Sequence, residues 1–289
     1  VFENLFVLDL ANNHFGDLNH AKKIISNFKK ICLNNKVKFA IKFQFRNLDT
    51  YIHTKYKNDL NNKFVKRFNT TRLKNDEITN LVKFCKKIKV KTACTPFDES
   101  SVDRIEDLNI DIIKIASVSS NDFSILNRVS QNKKPKIIST GGLNLKQIDR
   151  VVSFMQHRGQ KFALMHCVSI YPTDNKDMHL AFIKNLINRY KNITIGWSTH
   201  ENPNDFLPST IAYSCGARMF EKHIGINTKK YKLNKYSIQP DQFQQYLINL
   251  KNVQNIYGRY EKVLSNEEHK TLGTLQRGLY IRDNCKKGD

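Results

Sequence analysis

The amino-acid sequence predicts an α/β chain folded as a (β/α)8 TIM barrel, and three observations carry that reading. Apolar runs of strand length alternate with stretches of helical period along most of the 289 residues. The alternation repeats roughly eight times, the number that closes a parallel barrel. No glycine-rich turn follows the first apolar run, where an open doubly wound sheet would carry one.

The elements follow in order. Residues 5–11 read as the first strand and Leu18–Asn34 as its helix, with Ala21, Ile24, Ile25, Phe28 and Ile31 on one face. Residues 37–45 are the second strand; a polar insertion then precedes a helix over 76–88 and a third strand over 90–95. A helix at 99–108 leads to strand four at 111–117, Phe123–Ser130 to strand five at 136–140, and Leu145–His157 to strand six at Phe162–Cys167. A helix at 180–190, a strand at 193–198, a helix at 205–215, a strand at 217–223 and the helix Pro240–Tyr257 complete the series. The barrel domain is thus expected over residues 1–257. Residues 258–289 read as a polar linker, a strand start at 279–282 and a turn at 286–289, the expected opening of a further domain.

Composition narrows the function classes. Hydrophobic residues at 40% and charged residues at 26% fit a globular chain rather than wholesale disorder. A mean hydropathy of −0.53 and the lack of a long apolar run predict no membrane span. Residues 1–10 carry no basic segment, apolar stretch and cleavage site of a secretory leader, so a cytoplasmic location is expected. The six cysteines include no C-x-x-C pair and several fall in apolar segments, which fits reduced thiols and no structural zinc. The 48 basic and 26 acidic side chains leave a net charge of +22, which raises nucleic acid as a partner. The lysines, however, are spread through every segment without interleaved aromatic platforms. A solvated basic surface that draws in small anions is the preferred reading, and no nucleic-acid partner is expected.

Barrel enzymes place their chemistry at the carboxyl ends of the strands. Here those ends carry Asp9, Lys42 and Gln44, Thr95, Lys114 and Ser117, Ser139, Ser169 and Tyr171, Ser198 and His200, and Glu221 and His223. The side-chain period of two puts Ala40, Lys42 and Gln44 on one face of strand two and Phe39, Ile41, Phe43 and Phe45 on the other. The bulky face meets the helices, so Lys42 points into the mouth, and Lys114 repeats the arrangement. A buried ammonium is costly unless an anion meets it. Two interior lysines with hydroxyls from Thr95, Ser117, Ser139 and Ser198 predict a pocket for a small, multiply charged anion; the alternative is that each lysine pairs with Asp9 or Glu221. His200 and His223, ending neighbouring strands, are expected to form a partial shell for a divalent metal.

Read in order, these strand ends resemble the sialic acid synthase family. The matching segments are Asn13-His14-Phe15-Gly16-Asp17, Ile41-Lys42-Phe43-Gln44, Thr95-Pro96-Phe97-Asp98, Lys114-Ile115-Ala116-Ser117, Ser139-Thr140-Gly141, His166-Cys167 through Tyr171-Pro172-Thr173, Gly196-Trp197-Ser198-Thr199-His200 and Glu221-Lys222-His223. The resemblance implies an enzyme that condenses phosphoenolpyruvate with an N-acetylated hexose, N-acetylmannosamine or a related amino sugar, to a nine-carbon 2-keto acid with loss of phosphate. It implies that Lys42, Thr95, Lys114, Ser117, Ser139, Ser169 and Ser198 hold the donor's phosphate and carboxylate. Gln44 and Tyr171 would face the sugar, and Asp9 or Glu221 would handle protons. His200 and His223 would hold manganese, with magnesium or cobalt as substitutes. It further implies a homodimer swapped through a small antifreeze-like domain, whose opening residues 275–280 and 286–289 resemble.

Four positions depart from the family pattern: Asp9 stands for its usual glutamate, Ser119 for a glutamate, Thr199 for an aspartate, and residues 232–237 for a Gly-Pro-Asp segment. All but one of these lie on or beside the acceptor side as the family places it, so the acceptor is expected to be N-acetylmannosamine or a related amino sugar, the departures leaving both open. Rival readings are a Schiff-base aldolase using Lys114 or Lys42, a synthase of another deoxy-ketoacid on the same barrel, and a catalytically impaired polyanion-binding protein.

Overall fold

The computed structural model describes residues 1–288. In chain order its elements are β1 (Leu5–Asp9), α1 (Leu18–Asn34), β2 (Lys38–Phe45), α2 (Leu48–Tyr51), α3 (Lys63–Thr70), α4 (Asn75–Lys87), β3 (Lys91–Pro96), α5 (Glu99–Asp107), β4 (Ile112–Ile115), α6 (Phe123–Ser130), β5 (Lys136–Ser139), α7 (Leu145–His157), β6 (Phe162–Cys167), α8 (Phe182–Arg189), β7 (Ile195–Ser198), α9 (Leu207–Ser214), β8 (Met219–His223), α10 (Pro240–Tyr257) and α11 (Asn266–Leu275). The eight strands are parallel, pair in sequence order and close between β8 and β1, which makes the predicted TIM barrel.

Two faces of every strand explain the closure. Inward-facing Leu5, Val7, Ala40, Ala93, Ile137 and Met165 belong to one small apolar cluster that fills the barrel. Outward-facing Phe6, Leu8, Ile41, Ile113, Leu164 and Phe220 join the larger core under the helices. Gly196 serves the interior: a Cβ there would lie 2.6 Å from the Met219 carbonyl oxygen, so only a bare backbone lets β7 approach β8.

Local chemistry sets the helix boundaries. Asp17 accepts from the His20 N–H to start α1, whose buried Ala21, Ile24, Ile25, Phe28 and Cys32 recur at helical spacing. Asn144 and Gln147 cap each other's backbone at the start of α7. Strand one stops sooner than expected because the Asp9 carboxylate takes the Ala11 N–H at 2.9 Å, and Ala11 turns left-handed at φ 44°. Strand four likewise ends at Ile115, and a 3-10 turn over Ser117–Ser119 follows.

The polar insertion is not structureless. Asn47 and Asn62 cap α2 and α3, and Leu48, Ile52 and Val65 pack a small cluster of their own. The chain divides into two compact units, residues 1–254 and 255–289. In the second, the expected linker contains α11, capped by Ser265 with Glu267 and Glu268 in its first turn and with no buried residue. Residues 279–282 form no strand, a turn occupies 287–288, and Asp289 of the predicted turn lies outside the described residues. Among the described residues no helix is long and apolar enough to cross a membrane.

Candidate active site

One more step of the period-two alternation replaces the apolar interior by charge at the carboxyl ends of the strands. Register sets Asp9 beside Lys42 on β2 and beside His223 on β8. Lys42 Nζ lies 2.9 Å from Asp9 Oδ2 and 3.0 Å from Glu221 Oε1. Lys114 Nζ donates to Ser139 Oγ at 2.7 Å and lies 3.4 Å from Glu221 Oε2. Ser198 Oγ donates to Glu221 Oε1 at 3.2 Å, and Gln44 Nε2 donates to Asp9 Oδ2 at 3.0 Å. Asp9, Lys42, Lys114 and Glu221 are all buried.

These contacts correct the expectation of two lysines awaiting an anion. Asp9 and Glu221 pair with them, so the two ammonium and two carboxylate groups sum to zero charge. The physical reason is cost: four buried charges that neutralise one another are cheaper than two left alone. Burial opposes the charge on Glu221, but Lys114 and Lys42 override it and hold the carboxyl at about 2. Asp9 is likewise held low by Lys42 and His223 against burial. The lysines then diverge. Burial works against Lys42, yet Asp9 and Glu221 push its pKa up; at Lys114 burial, with Lys42 nearby, outweighs Glu221 and the pKa falls.

A hydroxyl cluster adjoins this network. A Cβ at Gly141 would lie 2.5 Å from Ser169 Oγ and 2.6 Å from Ser117 Oγ, so two serines from different loops meet over that glycine, just past Ser139. Thr95 Oγ1 is buried with no hydrogen-bond partner among the described residues.

The two histidines come together as the strand order predicts, with ring centroids 5.3 Å apart. His200 Nδ1 lies 3.2 Å from the Val168 carbonyl oxygen, and His223 Nε2 lies 3.6 Å from Asp9 Oδ2. His223 Nδ1 is buried with no hydrogen-bond partner among the described residues. Burial, with His223 beside it, pulls His200 down to about 3, and burial lowers His223. Both imidazoles are therefore neutral at pH 7, the form that ligates a metal. This donor chemistry fits a partial shell for a divalent ion. Among the described residues no group of three or more His, Cys, Asp or Glu side chains could hold one unaided.

Of the remaining expected residues, the Tyr171 ring lies 4.1 Å from that of His200. Two participants escaped the sequence reading. The Tyr236 ring stands edge-on to His223 at 5.2 Å and to His200 at 5.8 Å, inside the departing segment 232–237; its one signal was an aromatic residue in a lysine-rich loop. Arg46 donates to Gln44 Oε1 at 3.2 Å, with its guanidinium 3.5 Å from the Phe97 ring centroid and 4.5 Å from that of Phe68. A cavity of about 640 Å³ opens beside Gln44 and Arg46 and is also lined by His14, Phe68 and Arg72. His166 stands apart, with its Nε2 2.8 Å from the Met178 carbonyl oxygen.

The NeuB family model matches residues 34–262. The chain is 32% identical to the N-acetylneuraminate-9-phosphate synthase of Drosophila melanogaster, over 82% of this chain and 64% of that one. It is 27% identical to the N,N'-diacetyllegionaminic acid synthase of Campylobacter jejuni, over 99% and 87%. Among solved structures, a Chromobacterium violaceum protein assigned as spore coat polysaccharide biosynthesis protein E superposes with a TM-score of 0.92 at 42% identity, covering 96% of this chain and 82% of that one.

Proposed function

This chain belongs to the NeuB family, and on that premise we propose that its barrel mouth joins phosphoenolpyruvate to the open-chain aldehyde of an N-acetylated amino sugar, giving a nine-carbon 2-keto acid and phosphate. The observation that carries the proposal is the sharing of one mouth by two neutral imidazoles, an ionised carboxylate pair and a lysine–serine cluster.

The terminal carbon of phosphoenolpyruvate is a mild nucleophile, so the aldehyde must be held close and polarised. A divalent ion at His200 and His223, manganese by preference and magnesium or cobalt otherwise, would supply that polarisation as a Lewis acid. Lys114, Thr95, Ser117, Ser139 and Ser169 take the phosphate and carboxylate oxygens of the donor. Lys42, committed to two carboxylates, keeps Asp9 and Glu221 ionised, and Ser198 orients Glu221. As the carbon–carbon bond forms, positive charge develops on the enol-ester carbon, and the two carboxylates stabilise it. Water adds to that carbon and passes its proton, by way of Asp9 or Glu221, to the former aldehyde oxygen, which becomes a hydroxyl. The carbon–oxygen bond to phosphate then breaks as the new hydroxyl closes to the ketone and its proton leaves with the phosphate, whose oxygens Lys114 meets. Gln44 and Tyr171 face the sugar, beside Tyr236 and Arg46. Ser119 and Thr199 also depart from the family pattern on this side, so N-acetylmannosamine and related amino sugars both stand as acceptors. A homodimer through an antifreeze-like domain belongs to the same reading.

The test is phosphate release from phosphoenolpyruvate across a panel of N-acetylated amino sugars, with and without chelator. Release that needs both a sugar and a divalent ion supports the proposal; release without sugar, or indifferent to chelator, refutes it. The lowered pKa of Lys114 favours one rival, an imine-forming aldolase. Borohydride should trap no substrate adduct on Lys114, and a trapped adduct would install that rival.

A further inference from the structure

On the outer side of the wall that carries the two histidines lies a second, wholly buried ion pair. Glu201 follows His200 in the chain and Lys222 precedes His223; the two are ion-paired and are 2% and 3% exposed. Alternation along β8 turns Lys222 away from the mouth, opposite to Glu221 and His223. Its ammonium lies 4.7 Å from the Tyr246 ring centroid on α10 and 5.9 Å from that of Trp197 on β7.

The hydrogen-bonded ladder between β7 and β8 ends at the rung Ser198–Glu221, two residues short of both histidines. Beyond that rung, Glu201–Lys222 ties the exit of β7 to the end of β8. Stability does not account for such a pair, since well-packed apolar side chains commonly replace a buried ion pair at no cost. Outer residues that orient metal ligands, by contrast, are commonly worth a factor of 10 to 100 in affinity.

We propose that Glu201 and Lys222 are positioning residues that hold the imidazoles of His200 and His223 at the separation a divalent cation requires, by clamping the two strand ends from the outside of the barrel. The inference rests on the proposed metal role of the two histidines. The pair touches neither donor nor acceptor, so its influence is read in cation affinity.

The experiment titrates Mn2+ into the full chain by calorimetry, with and without phosphoenolpyruvate, for the wild type and for Glu201→Gln/Lys222→Met, which removes both charges and keeps the volumes. The double variant is expected to melt within a few degrees of the wild type and to bind Mn2+ about tenfold or more weakly. Glu201→Gln alone, which leaves Lys222 an acceptor oxygen and guards against a misfolded double variant, is expected to fall between them. Wild-type affinity in either folded variant overturns the clamp while leaving the metal site standing. A wild type that binds no Mn2+ under either condition overturns the metal site, and the clamp with it.

Discussion

Lys42 and Lys114 face the same barrel interior yet do different work, and the difference lies in their partners. Lys42 sits between two carboxylates at 2.9 and 3.0 Å; Lys114 has a serine hydroxyl at 2.7 Å and a carboxylate at 3.4 Å. Lys42→Met takes from Asp9 its one lysine partner and leaves Glu221 only Lys114, and is expected to cost about 3–5 kcal/mol in urea unfolding; a loss below 1 kcal/mol would show that the pairs are dispensable. Gly141→Ala is expected to act on the donor instead. Its new Cβ displaces the Ser117 and Ser169 hydroxyls, so the KM for phosphoenolpyruvate should rise at least tenfold with the melting temperature nearly unchanged; an unaltered KM would remove those serines from the donor site. Alternation in β2 is enough to turn Lys42 and Gln44 inward. It leaves open whether an anion or Asp9 and Glu221 neutralise the lysines, because that turns on side-chain reach across the mouth and not on the period of the strand.

Among the elements, helices were legible where they bury a stripe and illegible where they do not. Leu18–Asn34 and Leu145–His157 carry regular apolar spacing and were read to the residue, whereas α3 buries Val65 alone and α11 buries nothing. Strand ends erred where a side chain captures the backbone, as Asp9 does at Ala11. Lys136 at the base of β5 gives the elements a pH test. Its ammonium is buried, donates to the Lys134 carbonyl oxygen at 2.7 Å, and is pulled down to about 8 by burial and by Lys133. Between that value and the usual 10.5 the unfolded chain binds a proton that the folded chain does not, so folding gains stability as pH rises. Relative to Lys136→Met, the native chain should gain stability between pH 7.5 and 10.5; parallel stability curves would contradict this.

For the whole molecule, the eightfold alternation made the closed barrel readable, because each strand has one face small enough for the interior and one bulky enough for the helices. The division near residue 254 predicts that a chain ending at Tyr257 keeps the melting temperature of the full chain within a few degrees; a barrel that no longer folds would contradict it. The net charge of +22 predicts weak binding to DNA that falls steeply with salt and leaves turnover untouched.

The central claim, condensation with cleavage of the carbon–oxygen bond of phosphoenolpyruvate, is tested most directly with donor carrying 18O at the bridging position, turned over with an accepted amino sugar and Mn2+ and read by phosphorus NMR. The account predicts that the label leaves in inorganic phosphate, one phosphate for each keto acid formed. Unlabelled phosphate, or phosphate released with no sugar consumed, would contradict it.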